Sequence, residues 1–210
     1  PRRFLLEGSI YHIFNRGVEK RSIFQCSNDY RHFLRVLAYY QKADLKPRLS
    51  YNNDFVLSDR SDDLLFDVVA YCLMPNHFHL ILKQNRENGI TRGISNFLNS
   101  YCRFFNTKYN RIGPLFQGRF KSVNVLSSDQ FMHLTRYVFL NPYVNHLALE
   151  PFSYPWSSIN EYFSETIKFG FCAKNEILEH FKDRQSFESF ITDYADYAMV
   201  LEQIKHDVLE

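Results

Sequence analysis

The stretch NHFHLIL, residues 76–82, decides how the first half of this chain is read. Side chains along a β-strand alternate between faces. His77, His79 and Ile81 therefore share one face, and Phe78, Leu80 and Leu82 share the other. The second face belongs in a core. The run before it, from Val68 through Tyr71 and Cys72 to Met74, is apolar enough to be buried on both sides. Residues 65–74 and 77–83 thus read as two strands joined at Pro75-Asn76, or as one long strand bent at the proline. The histidine face needs another reason. Imidazoles at i and i+2 lie roughly 7 Å apart at Cα, given a rise of ~3.3 Å per residue, which lets them converge on one metal ion. Hydrogen-bonded histidines on a half-exposed sheet would show the same spacing. A zinc hydrolase would need further ligands, and Leu80, Ile81 and Leu82 supply none.

Upstream, residues 9–16 (SIYHIFNR) read as a strand ending at Arg16-Gly17. Ser27, Asn28 and Asp29 are N-cap candidates for a helix over 29–43. Downstream, Ile94, Phe97, Leu98, Tyr101 and Phe105 recur at helical spacing and predict a helix over 89–108. Gly113-Pro114 is a turn, and residues 115–125 (LFQGRFKSVNV) read as a strand. Ser127 and Ser128 then cap a helix over 129–141, which Pro142 ends because the residue before a proline resists the α conformation. The order β-α-β-β-α-β-α predicts an α+β domain, a mostly antiparallel sheet with helices packed on it. On the last of these helices Tyr137 and Asn141 are four apart and share a face. Phe131, Leu134 and Val138 form the adjacent apolar stripe. Packing accounts for most of the 14 tyrosines, but Tyr137 falls at the edge of that stripe, where a hydroxyl can reach the sheet.

Composition narrows the class. With 45% apolar residues and only 7 Gly and 7 Pro, the chain can build a core and is not low-complexity. No apolar run approaches the ~20 residues of a membrane span, and the N-terminal stretch lacks the apolar run of a signal peptide. The four cysteines are widely spaced with no CxxC pair, so they read as buried, reduced thiols of a cytoplasmic protein. Net charge is +2, but unevenly distributed: residues 1–150 hold 20 Lys+Arg against 12 Asp+Glu, and residues 151–210 hold 5 against 11. A basic body suits a polyanionic partner such as nucleic acid, and ordinary surface charge would look the same. Past Pro151 the chain turns acidic, with helical patterns over 173–182 and 185–204.

Taken in order, YHIFNRGVEKRSIF, PNHFHLIL, GPLFQGRFKS and RYVFLNP resemble the HUH single-tyrosine transposases, most of all their REP-associated tyrosine transposase branch. HxH alone is a weak signal; four blocks in the expected order form a strong one. The resemblance implies a ferredoxin-like antiparallel sheet over residues 1–147, followed by an acidic, mainly helical segment over 148–210. It implies His77, His79 and Asn141 as metal ligands, Mg²⁺ or Mn²⁺ as the ion, and Tyr137 as nucleophile. The activity implied is nicking and rejoining of single-stranded DNA beside an imperfect hairpin, through a 5′-phosphotyrosine and a free 3′-OH. A derived, non-cleaving hairpin-binding protein is the alternative. A cytoplasmic, nucleoid-associated monomer or homodimer is expected.

The residue chemistry agrees with that route. A phenol titrates near ~10, so it must shed its proton as it attacks, and it is a workable leaving group for the return step. Two imidazoles and an amide oxygen are borderline donors that suit Mn²⁺ and tolerate Mg²⁺. Arg16, Lys20, Arg21, Arg119 and Lys121, at strand ends and turns, are the candidate DNA contacts. His12 and His133 receive no role from the sequence.

Overall fold

The computed structural model describes residues 5–44, 63–163, 170–195 and 197–199. Four strands, β1 (Ile10–Arg16), β2 (Phe66–Met74), β3 (His77–Gln84) and β4 (Lys121–Val125), form one sheet in the order β2-β3-β1-β4. Every neighbouring pair is antiparallel. With α1 (Ser27–Tyr40) between β1 and β2, and α2 (Gly89–Lys108) between β3 and β4, this is the ferredoxin-like βαββαβ arrangement. The sheet is followed by α3 (Ser128–Val144), α4 (Ile159–Phe163), α5 (Asn175–Leu178) and α6 (Arg184–Thr192). The last residues of the helix expected over 185–204 lie outside the described residues.

Alternation along the strands makes two cores, one on each face of the sheet. Ile13, Phe78, Leu80 and Leu82 point at α1 and α2 and meet Phe33, Leu37, Ile94, Phe97, Tyr101 and Phe105. Full burial of each such side chain contributes about 1.5–3 kcal/mol. That outweighs the ~1 kcal/mol of helix propensity lost at Gly93. Gly93 is required there, because a Cβ would lie 2.5 Å from the Phe66 ring and 2.9 Å from the Tyr40 carbonyl oxygen. Asp29 ties the start of α1 to the end of α2. Its carboxylate accepts from the Gln25 and Cys26 backbone N–H groups, from Lys108 Nζ at 2.5 Å and from Tyr109 Oη at 2.7 Å.

The opposite face buries Ala70, Cys72, Met74 and Ile81 beneath Phe131, Val138 and Phe139 of α3. The C-terminal segment completes this second core: Tyr162, Ile177, Phe187 and Ile191 are buried in it. Arg136 on α3 lies over Phe190 and Tyr194, 3.8 and 4.6 Å from their ring centroids. The pose of α3 therefore depends on residues beyond 150.

Three local expectations are corrected. The strand expected over 115–125 is only β4; Leu115 and Phe116 instead plug the first core, and Gly118 takes φ +76°, which strand geometry does not allow. Pro142 does not end α3, which runs on to Val144 with the proline inside. It lies in the last turn, so only one i→i−4 bond is forfeited, and burial of Pro142 compensates. Of the four cysteines, Cys72 and Cys172 are buried, but Cys26 is exposed at the start of α1.

Candidate active site

β3 is paired on both sides, and the register fixes what surrounds the histidines. Arg16 is opposite His77 and Phe14 opposite His79 on β1, while Met74 and Cys72 face them on β2. His77 and His79 point to the α3 side with ring centroids 5.1 Å apart and planes nearly perpendicular, at 88°. The two-residue turn at Pro75-Asn76 sets the start of this strand. It is clamped by Gly17, whose N–H donates to the Asn76 carbonyl at 2.8 Å and whose Cβ, if present, would strike the Arg21 carbonyl oxygen.

Each histidine is held through the same ring nitrogen. Asn76 donates its amide N–H to the Lys20 carbonyl, so its Oδ1 faces His77 and accepts from His77 Nδ1 at 2.6 Å. His77 therefore carries its proton on Nδ1 and keeps a lone pair on Nε2. His79 Nδ1 lies 2.9 Å from His12 Nε2. His79 Nε2 is buried and has no partner, and neither has the buried Oδ1 of Asn141. An unmet buried polar atom costs about 1–3 kcal/mol, so two of them at one place call for an explanation. Asn141 is close enough to the His77 ring to favour its protonated form, though outside hydrogen-bond geometry. With the His79 proton on Nδ1, facing His12, these atoms present lone pairs of the kind that suit a cation. Among the described residues no group of three or more His, Cys, Asp or Glu is placed to hold a metal ion.

Electrostatics keep these donors neutral. Burial lowers His77 to about 4, assisted by the charge of Arg16. Burial lowers His79 well below the usual range, with His12, His77 and Arg16 adding to it. His12 is lowered to about 4 by burial. At neutral pH all three offer lone pairs.

Tyr137 projects from α3 over the same face. It is 49% exposed, and its ring meets His79 edge-on at 5.3 Å and His12 at 6.3 Å. The structure places Tyr137, His77, His79 and Asn141 together on this side of the sheet. Of the candidate DNA contacts, Arg16 lies beside the histidines, and Lys121 is over the Phe14 ring on the same face. Arg21 pairs with Glu19 at 3.2 Å in the turn that also holds Lys20. Arg119 is exposed on the loop before β4. His12 was missed by sequence reasoning. The available signal was that positions 12 and 14 of β1 must share a face with its neighbour's histidines once β1 and β3 pair.

Fold and site together define a class: an α+β sheet that presents uncharged nitrogen and oxygen donors on one face beneath a helical tyrosine. The chain belongs to the IS200-like transposase family, whose model matches residues 9–139. A solved structure of a REP-associated tyrosine transposase bound to a REP hairpin shares the fold, with a TM-score of 0.54 at 15% identity, covering 79% of this chain and 85% of that one. No curated protein matches the chain. No helix among the described residues is long and apolar enough to cross a membrane.

Proposed function

We propose that the chain is a metal-dependent single-strand DNA endonuclease and strand transferase that recognises a DNA hairpin and cuts through Tyr137. The observation that carries the reading is the shared surface: Tyr137 stands over His79, beside two unpartnered donor atoms and a guanidinium. A hairpin partner is supported by family membership and by the fold neighbour solved with one.

His77, His79 and Asn141 would hold Mg²⁺ or Mn²⁺, which supplies charge to polarise a phosphodiester and to stabilise a departing oxygen. Arg16 adds fixed positive charge beside the histidines, where a phosphate would bind. Tyr137 Oη loses its proton and bonds to phosphorus, the P–O3′ bond breaks, and the leaving 3′ oxygen takes up a proton. The product is a 5′-phosphotyrosine with a free 3′-OH. Attack of a 3′-OH on that linkage reverses the step and rejoins strands without an external energy source. His12 touches neither DNA nor the reacting atoms in this scheme; it is a positioning residue that fixes His79.

The test is a labelled hairpin with single-stranded flanks, incubated with Mn²⁺ and run on a denaturing gel. Wild-type protein should give a shifted band that survives denaturation. Tyr137→Phe removes one oxygen from a half-exposed ring, so hairpin affinity should persist while the adduct disappears. An undiminished adduct in that variant would place the nucleophile elsewhere, and hairpin binding by wild type with no adduct under any metal would favour the non-cleaving alternative.

A further inference from the structure

On the side of the sheet away from Tyr137, a cleft of about 1240 Å³ runs between α2 and the loop that leads into β4. Beside it, a second hollow of about 520 Å³ continues along the same helix. Arg92, Ser95, Asn99, Arg103 and Asn106 line the two in sequence, one exposed or half-exposed residue per turn of α2. At ~1.5 Å per residue this row is about 21 Å long. Arg111 and Arg119 form the opposite rim, with the half-buried ring of Phe120 between strand and helix.

The chemistry is one-sided. Among the described residues no Asp or Glu lines either hollow, and none occurs anywhere in α2. The ion pairs among the described residues leave out all four arginines. Arg111 donates to the Asn106 side chain and Arg92 to the Ala43 carbonyl, both neutral acceptors that leave the charge uncompensated. A row of guanidinium, amide and hydroxyl groups beside an apolar floor that includes Phe116 and Phe120 is fitted to a phosphate chain carrying unpaired bases.

The cleft reaches the sheet edge at β4, whose other face looks toward the candidate active site. β4 is an edge strand whose successive residues face opposite sides: Lys121 lies over Phe14 on the histidine side, and Ser122 lines the cleft. A strand leaving the histidines past Lys121 meets Arg119 at the sheet edge and enters the cleft from there.

We propose that this arginine-lined cleft is a second contact surface for single-stranded DNA, holding the flank of the strand that is processed on the other face. It rests on the reading that the chain acts on single-stranded DNA, but it adds residues of α2 that the histidine–tyrosine site does not require. The double-stranded stem of a hairpin is not its occupant, because a concave cleft with a recessed aromatic ring admits a flexible strand and its bases rather than a stiff duplex.

The experiment uses full-length Tyr137→Phe protein and two probes, fluorescein-labelled dT20 and a 12-base-pair duplex, titrated at several salt concentrations. Each phosphate contact on a single strand contributes about −0.7 to the slope of log K against log salt. Arg92→Ala combined with Arg103→Ala should therefore weaken dT20 binding and flatten that slope by about 1.4. Duplex binding should change little. A benzophenone side chain introduced at Ser95, which is exposed, should crosslink to dT20 more than to the duplex. An unchanged dT20 slope in the double variant, or a crosslink that prefers duplex, would overturn the proposal. Wild-type protein that forms the hairpin adduct but shows no affinity for dT20 would overturn it too, while leaving the proposed activity standing. Loss of the adduct with retained, arginine-dependent dT20 binding would do the opposite.

Discussion

Replacing His12 separates the packing of the site from the orientation of His79, the proposed metal ligand. His12 does two things in the structure: Nε2 meets His79 Nδ1 at 2.9 Å, and its ring stacks on Phe14 at 4.8 Å and on His79 at 5.1 Å. His12→Phe keeps most of the stacking and removes the partner of His79 Nδ1. His79 Nδ1 is then left buried without a partner, and nothing selects the tautomer with a lone pair on Nε2. A neutral hydrogen bond alone is worth about 0.5–1.5 kcal/mol. Loss of an outer-shell partner of a metal-bound histidine costs roughly 10- to 100-fold in metal affinity, or about 1.4–2.8 kcal/mol. The larger range is expected here, because His79 is buried. His12→Gln restores an acceptor oxygen and should recover most of the affinity. Mn²⁺ binding, read by the loss of its free EPR signal on titration, is the assay, with thermal melts of each variant to check the fold. A folded His12→Phe protein that binds Mn²⁺ as wild type does would refute the reasoning. So would a His12→Gln protein as weak as His12→Phe, since packing would then be the cause.

Asn141→Ala should weaken Mn²⁺ binding less than His77→Ala or His79→Ala, because water replaces an amide oxygen more readily than an imidazole; the same EPR titration ranks the three, and the reverse order would remove Asn141 from the ligand set. Asp29→Asn should cost about 1–3 kcal/mol in urea unfolding, since it breaks the bond between α1 and Lys108 while leaving most of the packing; a loss below ~0.5 kcal/mol would show that the pair is solvent-screened. In chelator, urea midpoints should fall as pH drops from about 6.5 towards about 4. His32, His12 and His77 are each lowered to about 4, chiefly by burial, so over that window the unfolded chain binds more protons. Equal midpoints at pH 7 and pH 5 would contradict those directions.

Much of the fold was legible because its signals are local and periodic. The α2 stripe from Ile94 to Phe105 gave that helix its limits, and alternation in NHFHLIL gave β3 its two faces. What escaped depended on pairing. Nothing near His12 in the chain marks it as functional; it matters only because β1 lies beside β3 and brings Nε2 to a strand 67 residues on. The length of β4 was misjudged for a related reason. LFQGRFKSVNV is apolar enough for a strand throughout, but Leu115 and Phe116 find more burial as plugs of the α1–α2 core than as ladder residues at an open edge. Pro142 misled through a rule that is sound inside a helix and weak in its final turn. The cleft along α2 was also hidden, because arginines four or more residues apart read as ordinary solvated charge until a loop 20 residues away closes over them.

The choice of neutral ligands has a consequence for how such a site would work. A pair of carboxylates would bind a divalent ion more tightly but cancel its charge. As the proposed ligands, His77, His79 and Asn141 would leave that charge whole, and Arg16 would add to it. The same burial that keeps the histidines unprotonated excludes the water that would screen a phosphate from them. The cost would be a weak site in the absence of substrate; Nε2 of His79 and Oδ1 of Asn141 have no hydrogen-bond partner. A phosphate would then supply the anionic ligand, so ion and DNA should each raise the other's affinity by the same factor. Such coupling confines a competent nucleophile to DNA that is already seated. Tyr137 fits this logic: it is carried on a helix whose pose is set by Arg136 against Phe190 and Tyr194, and by Phe139 against Tyr162 and Phe187. The acidic C-terminal segment therefore contributes to the site through the apolar and aromatic surface it lends to α3, which its charge alone did not reveal.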